Sequence, residues 1–168
     1  MTAGGLAPAA RMNTVVVTNR RFVSLGFFLL ICFAASLATY PKAADWYTNM
    51  RKPDWTPPRE VFEPVWTALY ASMAVAAWLI WDRLHGAAFP ALKLFAYQLG
   101  LNVIWSILFF TLRNPDAAAT EVMVLWLVLG ATTVSFLRIH RLAGMLMVPY
   151  WACVTFAAAL NYSIAQTN

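Results

Sequence analysis

Charge is what this sequence has least of. Lys, Arg, Asp and Glu together make up 11% of its 168 residues, while 61% are hydrophobic; an ordinary soluble domain has about 25% charged and about 45–50% apolar residues. So few charges cannot cover so much apolar surface on a chain this small, which argues against a water-soluble domain and makes lipid the expected solvent. Cysteine is scarce as well. Cys32 and Cys153 both fall inside apolar runs, where a thiol behaves as a small buried hydrophobe, and their spacing fits no metal-ligand set. The two histidines, His85 and His140, stand in connectors without a partner at ligand spacing. No nucleophile–base pair, carboxylate dyad or phosphate loop is present, so the motifs assign neither a catalytic residue nor a metal. The net charge of +5 is scattered without a basic block, so no nucleic-acid partner is expected. Nor is there an internal repeat of the kind that builds inverted-repeat transporters.

What the chain does have is long uncharged runs. Phe22–Tyr40, Val65–Trp81, Leu94–Leu112, Val122–Leu137 and Leu142–Asn168 carry no charge at all, and a membrane-spanning helix needs about 20 such residues, with a range of about 17–25. The expected fold is therefore all-α, an integral membrane bundle of five transmembrane helices at about 22–40, 59–83, 91–112, 115–138 and 142–165. Residues 1–21 read as a flexible N-terminal tail, 22–168 as the membrane domain, and 41–58 as its longest connector. The first run is longer than the apolar core of a secretory signal, about 7–15 residues, which favours an uncleaved helix. Arg11, Arg20, Arg21, Arg83, Lys93, Arg138 and Arg141 fall on the side of the N-terminus, and Lys42, Arg51, Lys52, Arg59 and Arg113 on the other. That near balance leans only slightly toward a cytoplasmic N-terminus.

Local chemistry marks the ends. Pro57-Pro58 suits the start of the second helix, because a proline there loses only an orphan donor. Asn114-Pro115-Asp116 combines a cap, a first-turn proline and an acid at the positive end of the dipole. Glu121, in the first turns of the fourth helix, is expected to reach the headgroups. Inside the spans, Gln98 and Asn102 are four apart and share one face of the third helix, continued by Trp105 and Ser106. Amides in hydrocarbon need partners, so this face should look inward, either as helix–helix hydrogen bonding or as a polar anchor in a ligand cavity. Trp66 and Tyr70 form a similar stripe on the second helix, and Asn161 is expected to bond across helices.

The connector WYTNMRKPDWTPP (46–58) is unusual for a loop. Its prolines restrict their own φ and push their predecessors toward extended shapes, yet it carries Trp46, Tyr47 and Trp55. Two readings are open on composition: an aromatic belt at headgroup depth, or a stiff aromatic lid over the mouth of the bundle. Together with PVWTALY (64–70), QLGLNVIWSILFF (98–110) and VPYWACVTFAAALNY (148–162), this stretch resembles the TspO/MBR family, the translocator proteins or tryptophan-rich sensory proteins, over about residues 22–165.

The resemblance implies a multi-pass membrane protein in a lipid bilayer, commonly a homodimer. It also implies a receptor or sensory protein for tetrapyrroles such as protoporphyrin IX and haem, bound as ligands, with no cofactor required. Light-dependent porphyrin degradation at Trp66 and porphyrin transport are the alternative activities. The resemblance favours the lid and places the ligand beneath it, among positions matching Trp46, Tyr47, Pro57, Trp66, Tyr70, Asn102, Trp105 and Ala157. Cys153 counts among these ligand-binding positions too, but the family often has tryptophan there. Trp151 lies two positions earlier, about 200° away around a helix, and cannot stand in for it. That departure weighs against degradation. Tyr162 is not followed by the Lys or Arg of a cholesterol-type pattern, so sterol binding is not expected. Propionates on the ligand would meet Arg51, Lys52 or Arg59 at the wet rim. Ala96 and Gly100 give the third helix a pair of small residues suited to close packing.

Overall fold

The computed structural model describes residues 7–38, 47, 49–83 and 88–167, with the side chains of 7–21, 38, 59, 62 and 63 outside that description. Among the described residues the chain is helical, without a strand. Helix α1 spans Ala7–Ala38, α2 Arg59–Trp81, α3 Ala88–Ser106, α4 Pro115–Ile139 and α5 Arg141–Thr167, and α3 runs directly into one π-helical turn, Ile107–Thr111. Pro64–Trp81, Ala88–Thr111, Pro115–Ile139 and Arg141–Thr167 are long and apolar enough to cross a membrane, and Phe22–Leu37 is a shorter apolar stretch of α1.

One boundary differs plainly from expectation. The segment read as a flexible tail is helical from Ala7, so α1 begins well before Phe22. Its only proline, Pro8, sits in the first turn, where a missing N–H costs nothing, and the Ala, Arg and Met that follow are good helix formers. The other starts follow the sequence closely. Pro58 precedes α2 with φ −58°. Asn114 caps α4, its Oδ1 accepting from the Ala117 N–H at 3.0 Å, with Pro115 and Asp116 in the first turn. His140 is extended between α4 and α5, and its Nδ1 accepts from the Ala143 N–H at 3.3 Å, so this connector histidine caps a helix. At that corner the two helices are very close. A Cβ on Gly144 would lie 2.6 Å from the backbone nitrogen of Leu137.

The helices form a closed ring in the order α1, α2, α5, α4, α3, with the most extensive packing between α4 and α5. The solid part of the core lies toward the end where α2 and α4 finish. Met73, Ala74, Ala76, Ala77 and Ile80 of α2 are fully buried there, with Leu129 of α4 and Met147 of α5. Alanine's small volume lets neighbouring backbones approach, which is how helices gain van der Waals contact when lipid supplies no hydrophobic drive. Phe95 stacks on Phe136 with ring centroids 6.0 Å apart. The buried hydroxyls here are satisfied locally: Thr132 and Thr133 donate to the carbonyls of Val128 and Leu129, at 2.7 and 2.8 Å. On α5, Pro149 is accommodated within a continuous helix, and Ser72 Oγ of α2 reaches the nearby Leu146 carbonyl at 3.4 Å. Phe22, Phe27, Phe33, Leu127 and Tyr162 face outward, as side chains bathed in acyl chains should.

Candidate ligand-binding site

Toward the opposite end the bundle is not filled. A cleft of about 390 Å³ lies among α2, the end of α3, α5 and the strap, the connector ahead of α2 described at residues 47 and 49–58, within the range of about 300–1,000 Å³ usual for ligand sites. Its walls are almost wholly apolar. Val61, Val65 and Trp66 come from α2, and Trp105, Phe109 and Phe110 from α3 and its π-turn. The α5 helix gives Ala152, Cys153, Phe156, Ala157, Leu160, Asn161 and Ile164, and Tyr47 and Pro57 close the strap side. Of the residues expected at the site, Tyr47, Pro57, Trp66, Trp105, Cys153 and Ala157 line this cleft. Trp46 lies outside the described residues.

Tyr70 and Asn102 do not line the cleft. They sit behind it in a buried three-way bond: Tyr70 Oη donates to Asn102 Oδ1 at 2.5 Å, and Asn102 Nδ2 donates to Tyr150 Oη at 2.8 Å. One amide thus joins α2, α3 and α5, which is the helix–helix role weighed against the cavity anchor. The Trp66 ring rests against this network, 6.2 Å from Tyr70 and 6.1 Å from Tyr150. The network therefore sets where Trp66 stands at the floor of the cleft, although neither Tyr70 nor Asn102 touches the space. A second amide works at the wall. Trp105 Nε1 donates to Asn161 Oδ1 at 3.0 Å, and Asn161 Nδ2 donates to the Pro115 carbonyl at 2.8 Å. That is the cross-helix bond expected of Asn161, and it fixes the indole of Trp105 against α5 and the start of α4.

The strap is tied down at its aromatic end. Lys52 donates from Nζ to the Tyr47 carbonyl at 2.7 Å and lies 4.5 Å from the centroid of the Tyr47 ring, so its charge is engaged both by a dipole and by a π face. Tyr47 meets the edges of Phe109 and Phe110 at 6.1 and 6.0 Å. Thr56 turns back on Pro53, its N–H and hydroxyl both reaching that carbonyl, at 3.0 and 2.7 Å. Trp55 packs edge-on against Phe156 of α5 at 5.4 Å.

The sequence reading missed Val61, Val65, Ala152, Phe156, Leu160, Asn161 and Ile164 as wall residues, and with them Phe109 and Phe110. In the π-turn the Leu112 N–H bonds to the Ile107 carbonyl at 2.9 Å and the Asn114 N–H to the Leu108 carbonyl at 3.0 Å. The wider turn leaves both rings at the cleft, with Phe109 stacked on Trp105 at 5.4 Å. The chain then leaves through Arg113 with φ 53°, a left-handed conformation uncommon for a residue with a side chain. Periodicity carries no signal for such a turn. Leu160 and Ile164, by contrast, continue the face of Cys153 and Ala157 at helical spacing, and extending that stripe would have found them.

Three buried polar groups find no partner among the described residues: Gln98 Oε1, both carboxylate oxygens of Glu121, and Trp151 Nε1. For Glu121 this corrects the expectation of a headgroup contact. Both of its carboxylate oxygens are shielded from solvent although the residue as a whole is only partly buried, so the carboxyl turns inward rather than out to the interface. Trp151 faces α4 instead of the cleft. Its ring lies over Gly130, where a Cβ would come within 2.8 Å of Cζ2, and stands 5.3 Å from Trp126. It does not occupy the wall position that Cys153 leaves small.

Residues 23–166 match the TspO/MBR family. The chain is 38% identical over 162 residues to the tryptophan-rich protein TspO of Chlorobaculum tepidum, covering 94% of this chain and 99% of that one. It is 39% identical over 142 residues to the tryptophan-rich sensory protein of Cereibacter sphaeroides, covering 84% and 89% of the two. Over 151 residues it is 34% identical to the human translocator protein, covering 86% and 89%. With its long apolar helices and this similarity along most of its length, the chain is a multi-pass membrane protein and belongs to the TspO/MBR family.

Proposed function

We propose that this protein is a tetrapyrrole-binding membrane receptor of sensory type, holding protoporphyrin IX or haem in the cleft under the strap. The observation that carries the reading is the cleft's wall chemistry. Trp66, Trp105, Phe109 and Tyr47 give several aromatic faces around a space almost free of polar groups, which suits a flat, largely apolar macrocycle. The carboxylates of such a ligand would lie toward Arg51 and Lys52 on the strap. The name of one relative, a tryptophan-rich sensory protein, agrees with a sensory role. In this reading α1 supplies the fifth span through Phe22–Leu37 and its flanks, and the working unit is a homodimer. Light-driven porphyrin breakdown would need Trp66 as the oxidised residue, and the thiol of Cys153 in place of an indole weighs against it.

The test is quenching of intrinsic tryptophan fluorescence by protoporphyrin IX, using purified protein in lipid nanodiscs. Saturable quenching is expected in the wild type, with affinity reduced about tenfold in Trp66→Phe, an amount matching the loss of about one aromatic contact. Unsaturable quenching, identical in the two proteins, would sink the proposal. Illumination of the same samples decides the enzymatic alternative, which requires the porphyrin spectrum to bleach faster in the wild type than in Trp66→Phe.

A further inference from the structure

We propose that the cleft exchanges its occupant with the bilayer rather than with water, through a slot between α2 and α5, and that Trp55 resting on Phe156 is the latch of that slot. The identity of the occupant rests on the tetrapyrrole reading above; the slot does not.

The lining of the cleft grades from buried to exposed in one direction. Its back is closed, with Leu160, Asn161 and Ile164 at 7%, 2% and 1% exposure. Its other side is open, with Val61, Val65 and Phe156 at 52%, 40% and 42%. Val61 and Val65 are one turn apart on α2, and Ala152 and Phe156 one turn apart on α5, so each helix presents a two-residue lip. Every lip residue is apolar. A mouth opening to water would expose these side chains at a cost, whereas one opening among acyl chains exposes them at none. Val65 and all of α5 lie within the segments long and apolar enough to span a membrane, so the lips lie at hydrocarbon depth or at its edge. The helices behind them also fit a gap. Along α2 the first described residue that is at least nine-tenths buried is Leu69, and the α2–α5 packing is less extensive than that between α4 and α5.

The strap is held unequally over these two routes. Above the cleft, Tyr47 is fixed by the Lys52 ammonium on its carbonyl and ring, and by the edges of two phenylalanines. A ligand arriving from water would have to undo all of these. At the slot the strap touches α5 through the Trp55–Phe156 edge contact, and Trp55 remains half exposed. One ring pair is a weak tie. A tetrapyrrole dissolved in the bilayer keeps its propionates at the headgroups and its macrocycle among the chains. It could slide in sideways without submerging those charges, bringing them to the level of Arg51 and Lys52.

The experiment is stopped-flow quenching of tryptophan fluorescence, using the full-length chain in nanodiscs with protoporphyrin IX preloaded in the lipid. Trp55→Ala, which removes the latch, should raise the association and dissociation rates together, each by at least fivefold, with their ratio steady within about twofold. Val61→Trp, which obstructs the outer lip on an exposed position, should lower both rates by at least fivefold. An unchanged association rate in Val61→Trp, or a change confined to dissociation in Trp55→Ala, would overturn the proposal. If no porphyrin binds to any of the proteins, the tetrapyrrole reading fails and lipids brominated on their acyl chains test the slot by itself. The emission of Trp66, taken as the difference between wild type and Trp66→Phe, is then quenched at least twofold if acyl chains reach the slot. It stays unquenched if the strap or a second copy of the chain seals the lips, and that result rejects the slot.

Discussion

The two ends of this bundle solve the same packing problem in opposite ways. Where α2 and α4 finish, alanines let the backbones close in, large side chains such as Phe136 and Met147 fill what remains, and each buried threonine is satisfied within its own helix. Where α2 and α4 begin, the side chains are larger and more aromatic, yet they leave a space. Trp66, Trp105, Phe109 and Tyr47 stand around it: Asn161 holds Trp105, on which Phe109 stacks, Lys52 holds Tyr47, and Trp66 leans on the tyrosines that Asn102 joins. The difference is one of rigidity. A ring anchored by a polar contact, as Trp105 is by Asn161, can border a hollow, while aliphatic side chains collapse into one. The buried asparagines Asn102 and Asn161 therefore do for the open end what packing density does for the closed one.

Substitutions at the two ends should separate these modes of support. The largest effect is expected at Phe136→Ala, in the fully buried stack with Phe95. It should lower stability by about 3 kcal/mol or more, read as a fall in the melting temperature of the detergent-solubilised protein. Asn102→Leu comes next. It strands the hydroxyls of Tyr70 and Tyr150 and should cost about 1–2 kcal/mol, while also weakening porphyrin binding by releasing Trp66. Gly130→Ala, which pushes on the Trp151 ring from α4, should cost about 1 kcal/mol and shift the near-ultraviolet circular dichroism. Lys52→Met loosens the strap and should change stability by no more than about 0.5–1 kcal/mol, with its clearer signature in faster proteolysis at the connector. Smallest of all should be Phe156→Ala on the half-exposed lip, below about 0.5 kcal/mol. If Phe156→Ala destabilised the fold as much as Phe136→Ala, the contrast between a solid end and a hollow end would be wrong.

Much of this was legible in the sequence. The uncharged runs located the helices, and the Asn114-Pro115-Asp116 signal put the start of α4 at the correct residue. The aromatic composition of 46–58 marked the strap, and the family resemblance picked out six residues that line the cleft. Three things were not legible. The extension of α1 back to Ala7 was hidden because residues 7–21 lack the apolar periodicity that flags a helix and include the β-branched run Val15-Val16-Val17-Thr18, whose helix propensity is low. The π-turn left no trace in periodicity, so Phe109 and Phe110 were missed. Which of two adjacent roles an inward-facing amide takes depends on offsets of a few ångströms between helices. Asn102 and Asn161 look alike as letters, yet Asn161 reaches the cleft and Asn102 stops behind it.

The wide turn at the end of α3 has a consequence for how such a chamber can vary. It stores one residue more than a regular helix of the same rise would hold, between a stacked indole below and a left-handed Arg113 above. Removing a single residue from 107–111 would tighten the coil and rotate one phenylalanine out of the wall, while the helix beneath kept its register. The chain thus carries a place where the shape of the hollow can be retuned by length alone, with the solid end of the bundle left untouched.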